Sequence, residues 1–529
     1  MDAADYIIVG GGSAGCVLAN RLSEDPARTV LLIEAGGPSE GLMFRMPTGS
    51  YTLLGKPAVD WMHVTEPDPS LNGRRGSWNA GRALGGGSAI NGMMYIRGDK
   101  HDYDDWAANG CVGWSWDEVL PYFLKSEDYQ GKPSPAHAKG GPLGVSPLRI
   151  KHPLADAFVE ACVQTGLRRL PEYCAGDVDG AFINIVTQRH GARSSTASAF
   201  LKPAARRPNL AIVTGAMADQ VLFEGERACG VRVLVDGQPR TYGANAEVIL
   251  AAGTLMSPSI LQRSGIGAGS HLREMGIGVR RDAPEVGRNL QEHASYSSSR
   301  FADIPTYNTM LGPVDLARNV ALYLLLQRGV MSTAPVHAMA FVRSDPALEH
   351  PDVKFSFAPF CGDTKGMSKR PGFTVFTNVA TPKSRGEIRL RSADAMEKPV
   401  IDHRLLGHPD DMAAMIRGLR TLDRIFEAPA LANHITGRNV PPEPPRDDAE
   451  WETLIRDGSG IGYHPVGACR MGADDGSVVD PKLAVRGVRG LRVVDASIMP
   501  TMPSANTNAP AIMIGEKGAD LIRAAARGA

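Results

Sequence analysis

The residues of this chain best suited to chemistry sit in short blocks near its two ends. Toward the C-terminus, Gly462-Tyr463-His464-Pro465-Val466-Gly467 and Ser504-Ala505-Asn506-Thr507-Asn508-Ala509-Pro510 combine polar side chains with backbone-shaping Gly and Pro. A neutral imidazole with a pKa near ~6.5 is a suitable proton acceptor at neutral pH. Pro465 disfavours helix at His464, so that ring belongs on a shaped loop. The residues before Pro510 lie at a helix N-terminus, whose partial positive charge suits a developing negative charge. Toward the N-terminus, Gly10, Gly12 and Gly15 show the G-x-G-x-x-G spacing, with Ser13 and Ala14 inside it. Such glycines give a tight turn, close approach of backbone to a pyrophosphate, and close helix–strand packing.

These blocks need elements to hold them. Tyr6-Ile7-Ile8-Val9 is a short apolar strand of the kind buried on both faces of a parallel sheet. Ala14, Val17, Leu18 and Leu22 recur at helical spacing, so one stripe of the next helix faces a sheet. Its N-terminus offers unpaired N–H groups to phosphates. Val30 to Ile33 form a second strand ending at Glu34 and Ala35, and an acid about 20 residues beyond the glycines accepts hydrogen bonds from a ribose. Strand, glycines, helix, strand and acid together specify a dinucleotide site, where the glycines alone would be a weak signal.

A second glycine cluster, Gly81 to Tyr95, lets backbone lie against something flat or charged, and Arg82 is placed to pair with a phosphate. Ile90, Met93 and Met94 mark this segment as docked. Leu210–Val213, Gln220–Phe223, Gly230–Val235 and Glu247–Ala251 read as a β meander, followed by a helix capped by Ser257 with Pro258 in its first turn. From about 300 to 455, Phe355 and Phe357, then Phe373, Val375 and Val379, alternate with polar neighbours. This predicts strands with one buried face, interrupted by a helix over 409–428. Leu491–Val494 is another buried strand, ended by Asp495 and Ala496, and Pro510 opens a last helix, so the nucleotide domain is assembled from both ends of the chain.

The 529 residues exceed one ordinary core, and 43% hydrophobic with 22% charged residues describes a globular protein. A formal net charge of zero gives no electrostatic case for nucleic acid or an anionic membrane. Seven dispersed cysteines without C-x-x-C spacing fit reduced thiols in the cytoplasm, and no metal-ligand pattern stands out. Met1 runs almost directly into the first strand, which leaves no room for a signal peptide. No apolar run approaches the ~20 residues of a membrane span. Val320 to Leu326 is read as part of a core helix.

In this order, four blocks resemble signatures of the glucose-methanol-choline (GMC) oxidoreductase family: Gly81 to Tyr95, Gly253 to Gly267, Tyr463-His464-Pro465, and Asn506-Thr507-Asn508-Ala509-Pro510. The similarity covers essentially the whole chain and lies nearest the bacterial branch with choline dehydrogenase and hydroxymethylfurfural or aryl alcohol oxidases. It implies an α/β (in part α+β) fold: a Rossmann-like FAD-binding domain with a mostly parallel sheet, plus a second, sheet-based substrate domain. The FAD-binding domain would take residues 1–155, 211–298 and 461–529, and the substrate domain 156–210 and 299–460.

The resemblance implies bound FAD, oxidation of a primary alcohol to an aldehyde with hydride transfer to flavin N5, and His464 and Asn508 facing the flavin. Members that attach FAD covalently carry a His at the place of Ile90, so FAD is expected to be non-covalent. The expected FAD contacts are Gly10, Gly12, Ser13, Ala14 and Gly15 at the pyrophosphate and Glu34 with Ala35 at the ribose. Arg82, Gly86, Ser88, Asn91, Gly92 and Met93 are expected on the flavin side, with Asp495, Ala496, Thr507 and Pro510 closing from the C-terminal segment. Trp61, Ala218 and Gly253 are expected near the adenine.

The acceptor is O2 or a quinone. Rival readings are a lyase of hydroxynitrile type with redox-idle FAD, a non-catalytic nucleotide-binding protein, and, less favoured, direct use of NAD. Phe341, Phe355, Phe357, Phe360 and Phe373 hint at an apolar or aryl substrate. The sequence shows no obvious acidic-aromatic cage for a quaternary ammonium, which leaves an unplaced Glu as the alternative source of one.

Overall fold

Strand Ala3–Val9 is apolar on both faces, and Ile7, Ile8 and Val9 are buried in the middle of a sheet. The computed structural model describes residues 2–363 and 366–528. Ala3–Val9 pairs in parallel with Val30–Ile33 on one side and with Gln238–Leu250 on the other. Leu210–Val213 adds to the far edge of Val30–Ile33, also in parallel. It is therefore not part of the meander in which the sequence pattern places it. A four-residue apolar run is equally at home in either setting, and only pairing decides between them.

The meander itself is Ala216–Glu224, Arg227–Val235 and Gln238–Leu250, joined antiparallel. The last of these strands serves two neighbours in succession. Its first half pairs with Arg227–Val235, and its end, Val248 to Leu250, pairs in parallel with Leu491–Val493 from the C-terminal segment.

The opening helix Ser13–Leu22 lies against the closing helix Asn508–Gly528. The two can approach because Gly515 has no side chain. A Cβ there would stand 3.0 Å from Val17 Cβ and from the Ala14 carbonyl oxygen. Arg21 forks onto Glu516 with bonds of 2.6 and 2.8 Å, and that carboxylate is fully buried. The two ends of the chain are thus clasped side by side beside the glycine loop.

A second, antiparallel sheet has the order Ala338–Val342, Val353–Ala358, Gly372–Val379, Ala294–Ala302 and Ile435–Val440, with Gly460–Ile461 paired to the start of Ala294–Ala302. Helices Pro153–Gln164 and Pro409–Glu427 cover one face. The alternation predicted for these strands is present, but both faces of Val353–Ala358 are buried. The polar face is enclosed because it walls a cavity rather than meeting solvent.

Helix Pro313–Leu326 departs from the expected core position. Only Asn319 and Tyr323 are buried, while Val314 and Leu325 are 82% and 80% exposed. Its apolar residues circle the axis instead of forming one stripe, so a single tyrosine, packed with Met46 and Met331, docks it. Among the described residues no helix is long and apolar enough to cross a membrane.

Candidate active site

Between the two sheets lies a cavity of about 970 Å³. Its floor at one end is the glycine loop. Gly10 has φ +104°, and a Cβ there would overlap the Ala251 carbonyl, so only glycine fits. Gly86 reaches back to Gly12, where a Cβ would lie 2.8 Å from the Gly12 Cα. Glu34 holds the loop: Gly11 N–H donates to Oε2 at 2.8 Å and Gly36 N–H to Oε1 at 2.7 Å. Burial raises the Glu34 pKa, and those two N–H groups oppose the rise. Ser13 opens its helix at the cavity wall and donates to Asn508 Oδ1 at 2.8 Å, joining the two helix N-termini.

Of the residues expected from the sequence, His464, Asn508, Gly10, Gly12, Ser13, Ala14, Glu34, Ala35, Trp61, Gly86, Asn91, Gly92, Met93, Ala218, Gly253, Asp495, Ala496 and Thr507 line this cavity. Four others stand behind the wall. A Cβ on Gly15 would overlap the Gly10 carbonyl oxygen, so its task is helix–strand packing. The Arg82 guanidinium lies over Trp61, 5.2 Å from the ring, instead of reaching into the cavity. Ser88 Oγ is turned to Gly85 O at 2.6 Å and Thr196 Oγ1 at 2.9 Å. Pro510 is buried in the first turn of the closing helix, where its missing N–H has no consequence.

Asp495 ties the C-terminal segment to the loop after Gln238–Leu250. Its Oδ2 accepts from Gly253 N at 2.9 Å and Ser257 Oγ at 2.6 Å, and its Oδ1 from Ser497 N at 2.8 Å. Ser257 is thus the first residue of its helix and does not cap it, since its hydroxyl is spent on Asp495. Replacing it by alanine leaves a buried carboxylate with one donor fewer. Ser257→Ala is expected to cost about 1–3 kcal/mol, read by denaturant titration of the holoprotein against the parent.

His464 sits where residues 460–466 run antiparallel to 291–295. Gln291 and Val466 exchange N–H···O bonds of 3.0 Å, and Gly462 N–H donates to His293 O at 2.9 Å. Between those anchors Tyr463 takes φ +66°, and the His464 N–H is held by both oxygens of Glu292 at 2.8 Å. Glu292 also accepts from His293 N at 2.7 Å. Burial pushes Glu292 up to about 8, against the pull of these N–H groups and of Lys354.

The protonation pattern of the ring follows from its neighbours. His293 Nε2 lies 2.9 Å from Ala380 O, which can only accept, so Nε2 carries the proton. Burial, then Lys354, then His464, hold His293 well below its ordinary pKa, so its Nδ1 keeps a lone pair. His464 Nδ1 therefore donates to it at 2.9 Å. Burial, with Lys354 adding, also holds His464 well below its ordinary value, which leaves its Nε2 as a base. Asn506 Nδ2 donates to that nitrogen at 2.8 Å, while Asn506 Oδ1 is buried without a hydrogen-bond partner among the described residues.

Glu292, His293 and His464 are close enough to share a cation, yet the facing nitrogens of the two rings are joined by a hydrogen bond. Glu292 and His293 were not among the residues expected at the site, and no motif in the sequence marks them. Asn506 lies inside the block Ser504 to Pro510 but was given no role of its own.

Two segments, residues 4–295 and 382–515, match family models described as GMC oxidoreductase, one N-terminal and one C-terminal. The chain belongs to the GMC oxidoreductase family. It is 40% identical to an alcohol dehydrogenase [acceptor] of Pseudomonas putida, over 98% of this chain and 95% of that one. It is 38% identical, over the same shares, to an oxygen-dependent choline dehydrogenase of Sinorhizobium medicae (strain WSM419). Among solved structures, a formate oxidase of Aspergillus oryzae RIB40 superposes with a TM-score of 0.94 at 27% identity, covering 100% of this chain and 99% of that one. This GMC oxidoreductase is an FAD-dependent alcohol oxidoreductase. Its cavity suits FAD. The glycine loop and the start of helix Ser13–Leu22 would present backbone to its diphosphate, and a Cβ at Gly87 or Gly253 would meet nothing within 4 Å.

Proposed function

We propose that this protein oxidises a primary alcohol to its aldehyde, with His464 as general base and Asn508 orienting the hydroxyl. FAD, held without a covalent bond, would supply the hydride acceptor when bound, and the electrons would pass on to O2 or a quinone-type acceptor. The observation that carries this reading is the relay from Ala380 O through His293 to His464, which leaves an unprotonated Nε2 at the cavity wall.

An alcohol C–H is a poor hydride donor until its O–H proton begins to leave. Asn506 Nδ2 marks the place on Nε2 that the substrate O–H takes. Asn508, fixed through Ser13, then hydrogen-bonds the same oxygen and holds the carbon in place. Ile90 lines the cavity with an alkyl group, which offers no nucleophile for a covalent link. The dispersed cysteines, none in C-x-x-C spacing, suit a location in the cytoplasm.

The test is anaerobic titration of the holoprotein with a panel of primary alcohols, followed by air. Bleaching by at least one alcohol supports the reading, and recovery in air identifies O2 as acceptor. A flavin that no alcohol bleaches would leave the lyase or the non-catalytic reading. Because the His464 pKa is lowered, its neutral form persists below pH 6.5. The bleaching rate is therefore expected to stay level as pH falls from 7 through 6.5, and a half-loss at the ordinary imidazole pKa would contradict the assigned environment.

A further inference from the structure

The cavity wall opposite the glycine loop belongs to the second sheet, and strand alternation sorts its side chains. Val353, Phe355 and Phe357 pack into the core, whereas Lys354 and Ser356 line the cavity. On Gly372–Val379, Phe373 and Val375 go to the core, and Phe376 and Asn378 to the cavity. On Ala294–Ala302, Tyr296 goes to the core and Ser295 to the cavity. Of the five phenylalanines behind the expected aryl preference, only Phe360 lines the cavity. The sheet register puts Lys354 opposite Asn378 and Asn378 opposite Ser295, so three hydrogen-bonding side chains stand in one row across neighbouring strands.

Lys354 is 1% exposed. Its one hydrogen bond among the described residues is a 3.5 Å approach to His293 Nδ1, an atom already engaged by His464 at 2.9 Å. An ammonium carries three donors, and burying it without acceptors is costly. Glu292 attracts it, but both Glu292 oxygens are engaged by the N–H groups of His293 and His464. Burial lowers Lys354 to about 7, and an arriving anion would restore its proton. The carboxylates that line the cavity, Glu34 and Asp495, are bound into the opposite, glycine-loop end.

We infer that the row Lys354, Asn378 and Ser295 is a subsite for a carboxylate on the far end of the alcohol substrate. This rests on the proposal that His464 takes the hydroxyl proton in the same cavity, and it adds the substrate class: hydroxymethyl carboxylates rather than alcohols bearing a quaternary ammonium. One imidazole ring and contacts of 2.9 and 3.5 Å set the upper limit on the distance from His464 Nε2 to Lys354 Nζ, which is within the reach of a small hydroxy acid.

Two readouts test it. Binding of 4-methylbenzoate, which has no hydroxyl to oxidise, is measured by calorimetry on the holoprotein. Anaerobic flavin reduction is compared between 4-(hydroxymethyl)benzoate and benzyl alcohol. The parent is expected to bind 4-methylbenzoate and to prefer the carboxylate alcohol. Lys354→Met is expected to weaken 4-methylbenzoate at least tenfold and to lower the ratio of the two reduction efficiencies as much, with Lys354→Arg restoring part of both.

Ser295→Asp, which keeps Lys354 but sets a like charge beside the anion, is expected to weaken 4-methylbenzoate as well, and it decides the matter if Lys354→Met does not fold. Parent and variants with equal affinity and an unchanged ratio would overturn the subsite. So would equal changes for both alcohols, the mark of a lysine that only tunes His464. If no alcohol bleaches the parent, the functional reading falls, and the calorimetry still decides the subsite.

Discussion

His464→Ala is expected to purify yellow, with FAD bound, and to lose anaerobic bleaching by alcohol by a factor of about 10²–10⁴. The flavin should stay because His464 takes no part in the glycine loop and because Glu292 grips the backbone N–H of residue 464, which alanine retains. The rate should fall because the substitution removes the only imidazole nitrogen of the His293–His464 pair left free of a proton at the cavity wall. His293 cannot replace it, since its Nε2 proton is committed to Ala380 O. Stopped-flow reduction of parent and variant decides it, and bleaching at the parent rate would remove His464 from the role of base. The loss should exceed that of Asn508→Ala, in which the base survives and only orientation suffers.

Gly15→Ala is expected to give a protein that purifies without flavin or does not accumulate at all. The new Cβ would overlap the carbonyl oxygen of Gly10 and lie 3.0 Å from its carbon, with the Ala251 Cβ at 3.5 Å. Overpacking a core costs about 1–3 kcal/mol when side chains can shift. Here the obstacle is backbone, and that backbone is pinned by Gly10 N–H to Ile33 O at 2.8 Å and by Ala251 N–H to Val9 O at 2.7 Å. Relief must move the loop that approaches the diphosphate, so cofactor and stability are lost together. Gly37→Ala is the matched control: a Cβ at Gly37 would meet nothing within 4 Å, and FAD should be retained. The ratio of flavin to protein absorbance and the melting temperature report both. Full FAD content with a parent-like melting temperature in Gly15→Ala would show that the loop has room that the packing denies it.

The glycine loop was legible in sequence because its demands are local. The close approach at Gly15 is imposed by the Gly10 carbonyl five positions away, and the positive φ of Gly10 suits glycine by itself, even though the carbonyl a side chain would overlap there belongs to distant Ala251. His464 was legible for a similar reason, since Pro465 and the flanking glycines shape its loop. Arg82 and Ser88 stand behind the cavity wall: a motif gives proximity to a site without the direction of a side chain. Phe341, Phe355, Phe357 and Phe373 pack into the core rather than line the cavity. Alternation shows that a strand has two faces, but it does not say that the polar face, with Lys354 and Asn378, would be the one that walls the cavity.

By itself the sequence determined a nucleotide loop, a second sheet with sorted faces, and a histidine on a rigid turn, because backbone sterics and side-chain periodicity act over a few residues. The tertiary structure alone decided that His293 would set the proton on His464, that Asn506 would stand at its free nitrogen, and that a buried lysine would face the same cavity. Those partners come from strands and loops far apart along the chain. Hydrogen bonds of about 3 Å form only once both sheets have closed around the space between them.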